Sequence, residues 1–372
     1  MRLKKDTRII LIVSIVAYLA GLCPAGSAKT ARTKPKQKHP TALELLDKYA
    51  ETQAKIRGSF ISKHETSAEF EAYNKLRPQI KKGTSYEQHI KLELRSDGAK
   101  HYSLNKSWGD NPGWHTTTEE HANNVHVLWD GELRYQYMYS PDTPAKVHLE
   151  NGRLFITPKN KLKVPTSRIR DFADGGTLRG FFYGSNERID SDIRQAKTIA
   201  LQPETEEING SQCYVINATT KRCKYKIWID PEHDYHIAKA SVNRNWGAAS
   251  RPEKRPTPPP DGTSKIVMGN VLFKKVNDNW IPIENDVTLA VEYVDGAYTK
   301  ENYHHKVTEY VVNPDHDALG SFEPDFIRNG AKVKLIHIPK KKYTWQDGTL
   351  IDKDGNKLNM EKIRKEANNT EK

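Results

Sequence analysis

Residues 210–240 run GSQCYVINATTKRCKYKIWIDPEHDYHIAKA. Two apolar-polar alternations flank a polar turn, the period-two pattern of paired strands. Tyr214, Ile216, Ile227, Trp228 and Ile229 load the hairpin with apolar surface, and no catalytic group stands beside it. Cys213 and Cys223 lie one in each half and are candidates for a disulfide, with two registers open. If TTKR at 219–222 is the turn, Cys223 faces Ala218 and not Cys213; a turn centred on Ala218 brings the two thiols together.

The same pattern extends outward. Ten Asp-Gly or Asn-Gly pairs punctuate the chain, and several sit between alternating segments, as in KVHLE-NG-RLFITP and TLAVEYV-DG-AYTKENYHH. Such pairs suit type I′ turns, which need positive φ at both central residues. Hairpins repeated without interleaved helices imply an antiparallel meander and not βαβ units. Helices are few. Thr41 and Glu44 form a capping box, Ala42, Leu45, Leu46, Tyr49, Ala50 and Ile56 share one stripe, and Gly58 stops it. A second helix is expected over residues 186–200. ASRPEKRPTPPPDG, residues 249–262, has five prolines between 252 and 260 and reads as an extended loop. It either divides two domains or is an insertion between consecutive strands.

The first residues set the compartment. Arg2, Lys4, Lys5 and Arg8 precede an unbroken apolar run, residues 9–23, followed by PAGSA. This is a signal-peptide pattern with cleavage after Ala28, and the run is short of the roughly 20 residues of a membrane span. The mature protein is therefore expected outside the cytoplasm, periplasmic or otherwise exported. An uncleaved anchor is one alternative and lipidation at Cys23 another, although Leu22 stands where a small residue is expected. Residues 29–40 form a flexible basic leader, 41–350 a single β domain and 351–372 a charged tail. The formal charge of +12 is spread along the chain. For an exported protein it suits an anionic membrane surface or an acidic partner and not nucleic acid.

Catalytic signatures are lacking: the chain has no G-x-S-x-G elbow, no phosphate-cradling glycine loop and no H-E-x-x-H. Cys213 with His233 or His236 makes no recognised nucleophile-base spacing. His115, Glu119, His121 and His126 carry ligand types suited to zinc, but in no known spacing. His304 and His305 are adjacent and would point to opposite faces of a strand. DKDGN at 352–356 starts like a calcium loop, yet Lys357 and Ile363 occupy its sixth and twelfth positions, so it is a turn. We therefore expect no enzyme, no metal and no cofactor. What remains is the apolar faces. Leu133, Tyr135, Tyr137 and Tyr139 share one strand face, and Val287, Leu289, Val291 and Tyr293 another. They are either packed core or, with Trp228, the lining of an apolar cavity under a sheet too large for one or two helices to fill.

Three stretches together resemble the family of LolA-type lipoprotein carriers, including the related sigma-factor regulators of the envelope. They are LLDKYAETQAKIRGSFISKHE, a helix running into an outer strand; VLWDGELRYQYMYS, with Asp130 and Gly131 at its turn; and the opening hairpin, ending in Trp228, Ile229 and Asp230 before the strand at 237–240. The resemblance covers residues 41–312. It implies a mainly β (α+β) fold, an unclosed antiparallel β-barrel wrapped over one or two helices, holding a lipid or acylated polypeptide in a hydrophobic cavity. The greater length, the proline-rich segment and the hairpin-rich end depart from the family pattern. An envelope interaction module with a filled barrel is the alternative function, and a metal-dependent enzyme built on residues 115–126 a distant third.

Overall fold

The computed structural model describes residues 40–73, 85–110, 117–141, 151–162, 176–182, 188–221, 223–246, 262–336, 342–358 and 360–368. All lie in one compact unit, Pro40–Lys372. The expected signal peptide, the leader up to His39, His115 and residues 249–261 of the proline-rich segment fall outside them. The chain is mainly β, with 18 strands in one unclosed sheet among the described residues. No described helix is long and apolar enough to cross a membrane.

Helix α1, Ala42–Arg57, begins as expected: the Thr41 hydroxyl accepts from Glu44 N, and the Glu44 carboxylate accepts from Thr41 N. Strands β1 (Phe60–Tyr73), β2 (Ser85–Ser96), β3 (His101–Gly109), β4 (Asn123–Trp129), β5 (Leu133–Tyr139) and β6 (Arg153–Pro158) follow as an antiparallel meander. After α2 (Ile189–Arg194) come β7 (Thr198–Leu201), β8 (Glu206–Ile208), β9 (Ser211–Thr219) and β10 (Cys223–Asp230). Then come β11 (His236–Trp246), β12 (Gly262–Val276), β13 (Asn279–Tyr293) and β14 (Tyr298–Val312). β14 returns to pair with β1 over the whole strand, so β1 joins two arms of one sheet. β15 (Lys332–Leu335) runs parallel to β6, and β16 (Tyr343–Gln346), β17 (Thr349–Asp352) and β18 (Lys357–Leu358) extend that arm.

Each arm buries its own core. On the β9–β14 arm, Leu45, Leu46 and Tyr49 of α1 and Ile193 of α2 pack with Ile216, Ile227 and Leu289. On the other arm, Leu133, Tyr137, Leu154 and Ile156 pack with Leu335, Trp345 and Ile363, the last on helix α3, Met360–Asn368. A buried side chain of this size contributes about 1.5–3 kcal/mol by leaving water. Residues after 351, expected as a charged tail that is helical or frayed from about Lys357, continue into strands and then a docked helix. Arg364 pins α3 to the β4–β5 turn, donating to Asp130 (2.5 Å) and Glu132 (2.9 Å).

The turn chemistry reads as expected at Asn209-Gly210 and Asp347-Gly348, where φ is 52° and 89°, and 47° and 75°. Asn277 and Asp278 make the same kind of turn between β12 and β13 without a glycine. The helix expected over 186–200 is confined to Ile189–Arg194. Beyond it Thr198 and Ile199 are β-branched and add β7 to the free side of β9, where pairing outweighs a weak helical preference. Trp246 pairs with Gly262, so the strands flanking the proline-rich segment are neighbours in one sheet.

Candidate functional site

The five expected cavity-lining residues do not converge on a cavity. Leu133, Tyr135 and Tyr137 are buried in the core of the β6 arm, with Tyr139 half-buried at its margin. The Tyr137 ring meets His126, Tyr139 and Phe326, and its hydroxyl donates to the Asn151 carbonyl at 3.1 Å. Trp228 belongs to a separate small cluster with Cys213, Val215 and Ala238. Its indole N–H donates to Glu206 at 2.7 Å, and Lys226 and Lys239 lie over the ring. The face expected to line a cavity is packed with side chains from residues 322–331, β15–β17 and α3, which lie beyond the span of the family resemblance.

The opening hairpin forms, with Lys224 paired to Thr219 and Tyr225 to Ala218. That register puts Cys213 and Cys223 at opposite ends of the hairpin, and both are free. The disulfide is therefore not made, and neither expected register forms: Tyr225, not Cys223, faces Ala218, and the Ala218-centred pairing that the disulfide required is absent. Cys213 has no exposed surface, and burial, then Asp230 and Glu232, push its thiol up to about 12. A thiol so disposed is no nucleophile. His233 is held by Asp230 (2.7 Å) and wedged between Phe273 and Trp280.

The apolar load of this hairpin is core, since Ile216, Ile227 and Ile229 join the cluster that Leu45, Leu46 and Tyr49 of α1 complete. Asp234 and Tyr235 both have positive φ, 52° and 61°, an uncommon state that α1 holds in place. Thr52 donates to the Asp234 carbonyl at 2.6 Å and Lys48 to the Tyr235 hydroxyl at 2.8 Å. His236 Nε2 lies 2.7 Å from the Trp280 carbonyl, which can only accept, so Nδ1 takes the hydrogen bond from Gln53 at 3.2 Å. Burial keeps this imidazole neutral, lowering it to about 4. Lys48, Thr52 and Gln53 were missed as positioning residues by the apolar stripe of α1, because they flank it.

Of the residues weighed for zinc, Glu119 and His126 are otherwise engaged. Glu119 receives Lys91 (2.9 Å) and Lys106 (3.1 Å), which hold it below the usual carboxylate range. His126 is buried and stacked on Phe326, with Tyr102 at 3.0 Å. Among the described residues no three His, Cys, Asp or Glu side chains are grouped to hold a metal. Asp352 accepts from Asp354 N and Asn356 N, both 2.9 Å, closing a turn.

A groove of about 400 Å³ lies on the sheet face opposite α1, across β13, β14, β1 and β2. Its floor is two cross-strand rows. One runs Asp286, His304, Ser67, His89 and the other Thr288, Asn302, Glu69, Glu87. His304 Nδ1 lies 2.8 Å from Asp286, whose other oxygen accepts from Asn270 at 2.6 Å. Desolvation would raise the Asp286 carboxyl, but these two hydrogen bonds outweigh it and hold it low. His89 stacks on Trp108 at the margin. Glu69 and Glu87 are directly opposite each other, an arrangement of like charges that destabilises a bare sheet. Sequence spacing does not reveal this surface, because only the closure of β14 on β1 brings Ser67 against His304. The alternation at 304–305 is as expected: His304 is exposed and His305 fully buried.

No family model and no curated protein matches the chain. Among solved structures it is similar to the crystal structure of MucB in complex with MucA(peri), at 10% sequence identity and a TM-score of 0.23, covering 72% of this chain and 93% of that one.

Proposed function

We propose that the chain is a non-enzymatic extracytoplasmic binding protein with a filled interior, acting through the groove across β13, β14, β1 and β2. The observation that carries this reading is the placement of Leu133, Tyr135 and Tyr137 in packed core while the groove lies open on the opposite type of surface, polar and acidic. The export pattern at the N-terminus supports the compartment. The partner is a polypeptide segment presenting a lysine or arginine, whose cation relieves the facing Glu69 and Glu87 carboxylates. Carriage of an acyl chain would require the packed cores to open.

The test is a fluorescence-anisotropy titration with an extended peptide carrying one lysine, beside a peptide with glutamate in its place. The lysine peptide binds wild type, more weakly at high salt, and the double variant Glu69→Lys, Glu87→Lys loses at least tenfold in affinity. Equal binding of both peptides, or of wild type and variant, contradicts the reading.

A further inference from the structure

The inner face of β1, β13 and β14 carries polar groups where apolar ones would ordinarily meet the helices. His64 and Thr66 on β1, His305 on β14 and Asn285 on β13 are all buried. Thr66 and Asn285 are the cross-strand neighbours of His305 on its two sides. Ser62 Oγ lies 2.8 Å from His64 Nε2, and Thr66 Oγ1 lies 2.8 Å from His305 Nδ1. Asn285 donates to the Thr177 hydroxyl (3.2 Å) of the short turn Gly176–Arg179, which covers this patch. Three polar atoms under the cover have no partner: His64 Nδ1, His305 Nε2 and Asn285 Oδ1. A buried polar atom left so costs about 1–3 kcal/mol.

The surroundings are cationic. From the covering turn, Arg179 acts on both imidazoles, and His305 acts on His64. From α1, Arg57 stands close enough to Arg179 to be disfavoured by it. On β14, Tyr303 stacks on His305 at 5.7 Å, and His304 adds its influence from the opposite face. The carboxylate acting on His305 is Asp286 of β13, and it already serves His304 and Asn270 on that opposite face. Burial first, and then these neighbours, keep both rings neutral: His305 is lowered to about 3 and His64 well below its usual value. A proton added to either ring makes a buried cation beside a guanidinium, with an N–H aimed at no acceptor.

We propose that His64 and His305 form an acid-operated latch, whose protonation drives the turn Gly176–Arg179 and the last turn of α1 off the inner face of β1, β13 and β14 while the remaining sheet stays folded. His236 is buried too but is not part of the latch. If its Nδ1 takes a proton, rotation of the Gln53 amide presents Oε1, now without a partner, as the acceptor. Nε2 keeps the Trp280 carbonyl, and Asp234 and Asp230 favour the charge. The bridge at Gln53 therefore holds α1 while its end lifts.

Hydrogen exchange followed by mass spectrometry at pH 7 and pH 5, corrected for intrinsic rates, tests the latch. Peptides covering 54–58 and 176–182 should lose at least tenfold in protection at pH 5 and exchange ahead of β4, β5 and β6, which stay protected above them. The double variant His64→Gln, His305→Gln should keep its protection. Unchanged protection in wild type, exchange of 54–58 and 176–182 in one common step with β4, β5 and β6, or a variant that loosens like wild type overturns the proposal. Should the variant not fold, imidazole resonances of wild type decide. His64 and His305 must protonate over the same pH range in which 176–182 opens, and either event without the other overturns the latch.

Discussion

Replacing Tyr137 separates a packed interior from a lined cavity by magnitude. The residue has no exposed surface and its ring meets three aromatic neighbours. Removing a ring of this size from a core costs about 3–5 kcal/mol. In Tyr137→Asp the new carboxyl must in addition stay neutral at pH 7, about three units above its ordinary pKa, which costs about 4 kcal/mol more. The loss of about 8 kcal/mol is comparable with the whole stability of a typical domain, 5–15 kcal/mol on the usual scale of about that size. Tyr137→Phe removes only the hydroxyl's bond to the Asn151 carbonyl and should cost about 1 kcal/mol. Urea unfolding monitored by circular dichroism measures both. A Tyr137→Asp protein within about 2 kcal/mol of wild type would mean the carboxylate is hydrated in place, and the packed-core reasoning would be refuted.

His126 and His236 are buried and lowered to about 4, so the unfolded chain takes up their protons first as pH falls below about 6.5. Their stabilisation is complete above that pH and is lost on the way down: urea unfolding should show at least about 4 kcal/mol less stability at pH 5 than at pH 7, and a drop under 1 kcal/mol contradicts it. Gly210→Ala meets no neighbouring atom and should cost about 1–2 kcal/mol through its positive φ alone. Gly152→Ala should cost more by the same assay, since its Cβ would lie 2.4 Å from the Tyr137 ring. Alkylation at pH 8 should label Cys223 in the folded protein and Cys213 only on unfolding, and a native disulfide between them in the intact mass would contradict the hairpin register.

Local rules made much of the fold legible. The Thr41-Glu44 capping box, the Asn209-Gly210 turn and the alternation through residues 210–240 each act over a few residues, so the sequence displays them directly. Long-range pairing was not legible. Nothing in the stretch LRYQYMY distinguishes a lined cavity from a core, because the answer lies in β15–β17 and α3, far along the chain. The groove likewise depends on β14 returning to β1, which aligns Asp286, His304, Ser67 and His89 from four strands. Polar residues facing inward, such as His64, Asn285 and His305, run against the alternation rule, and a sequence pattern alone counts them as ordinary strand positions.

The account rests on an interior that is filled, with binding confined to the outer groove. A native mass spectrum of protein purified without detergent tests this most directly. The predicted result is the mass of the polypeptide alone, unchanged after incubation with a fatty acid in excess. A stoichiometric acyl adduct that survives desolvation, in the purified or the incubated sample, would contradict it.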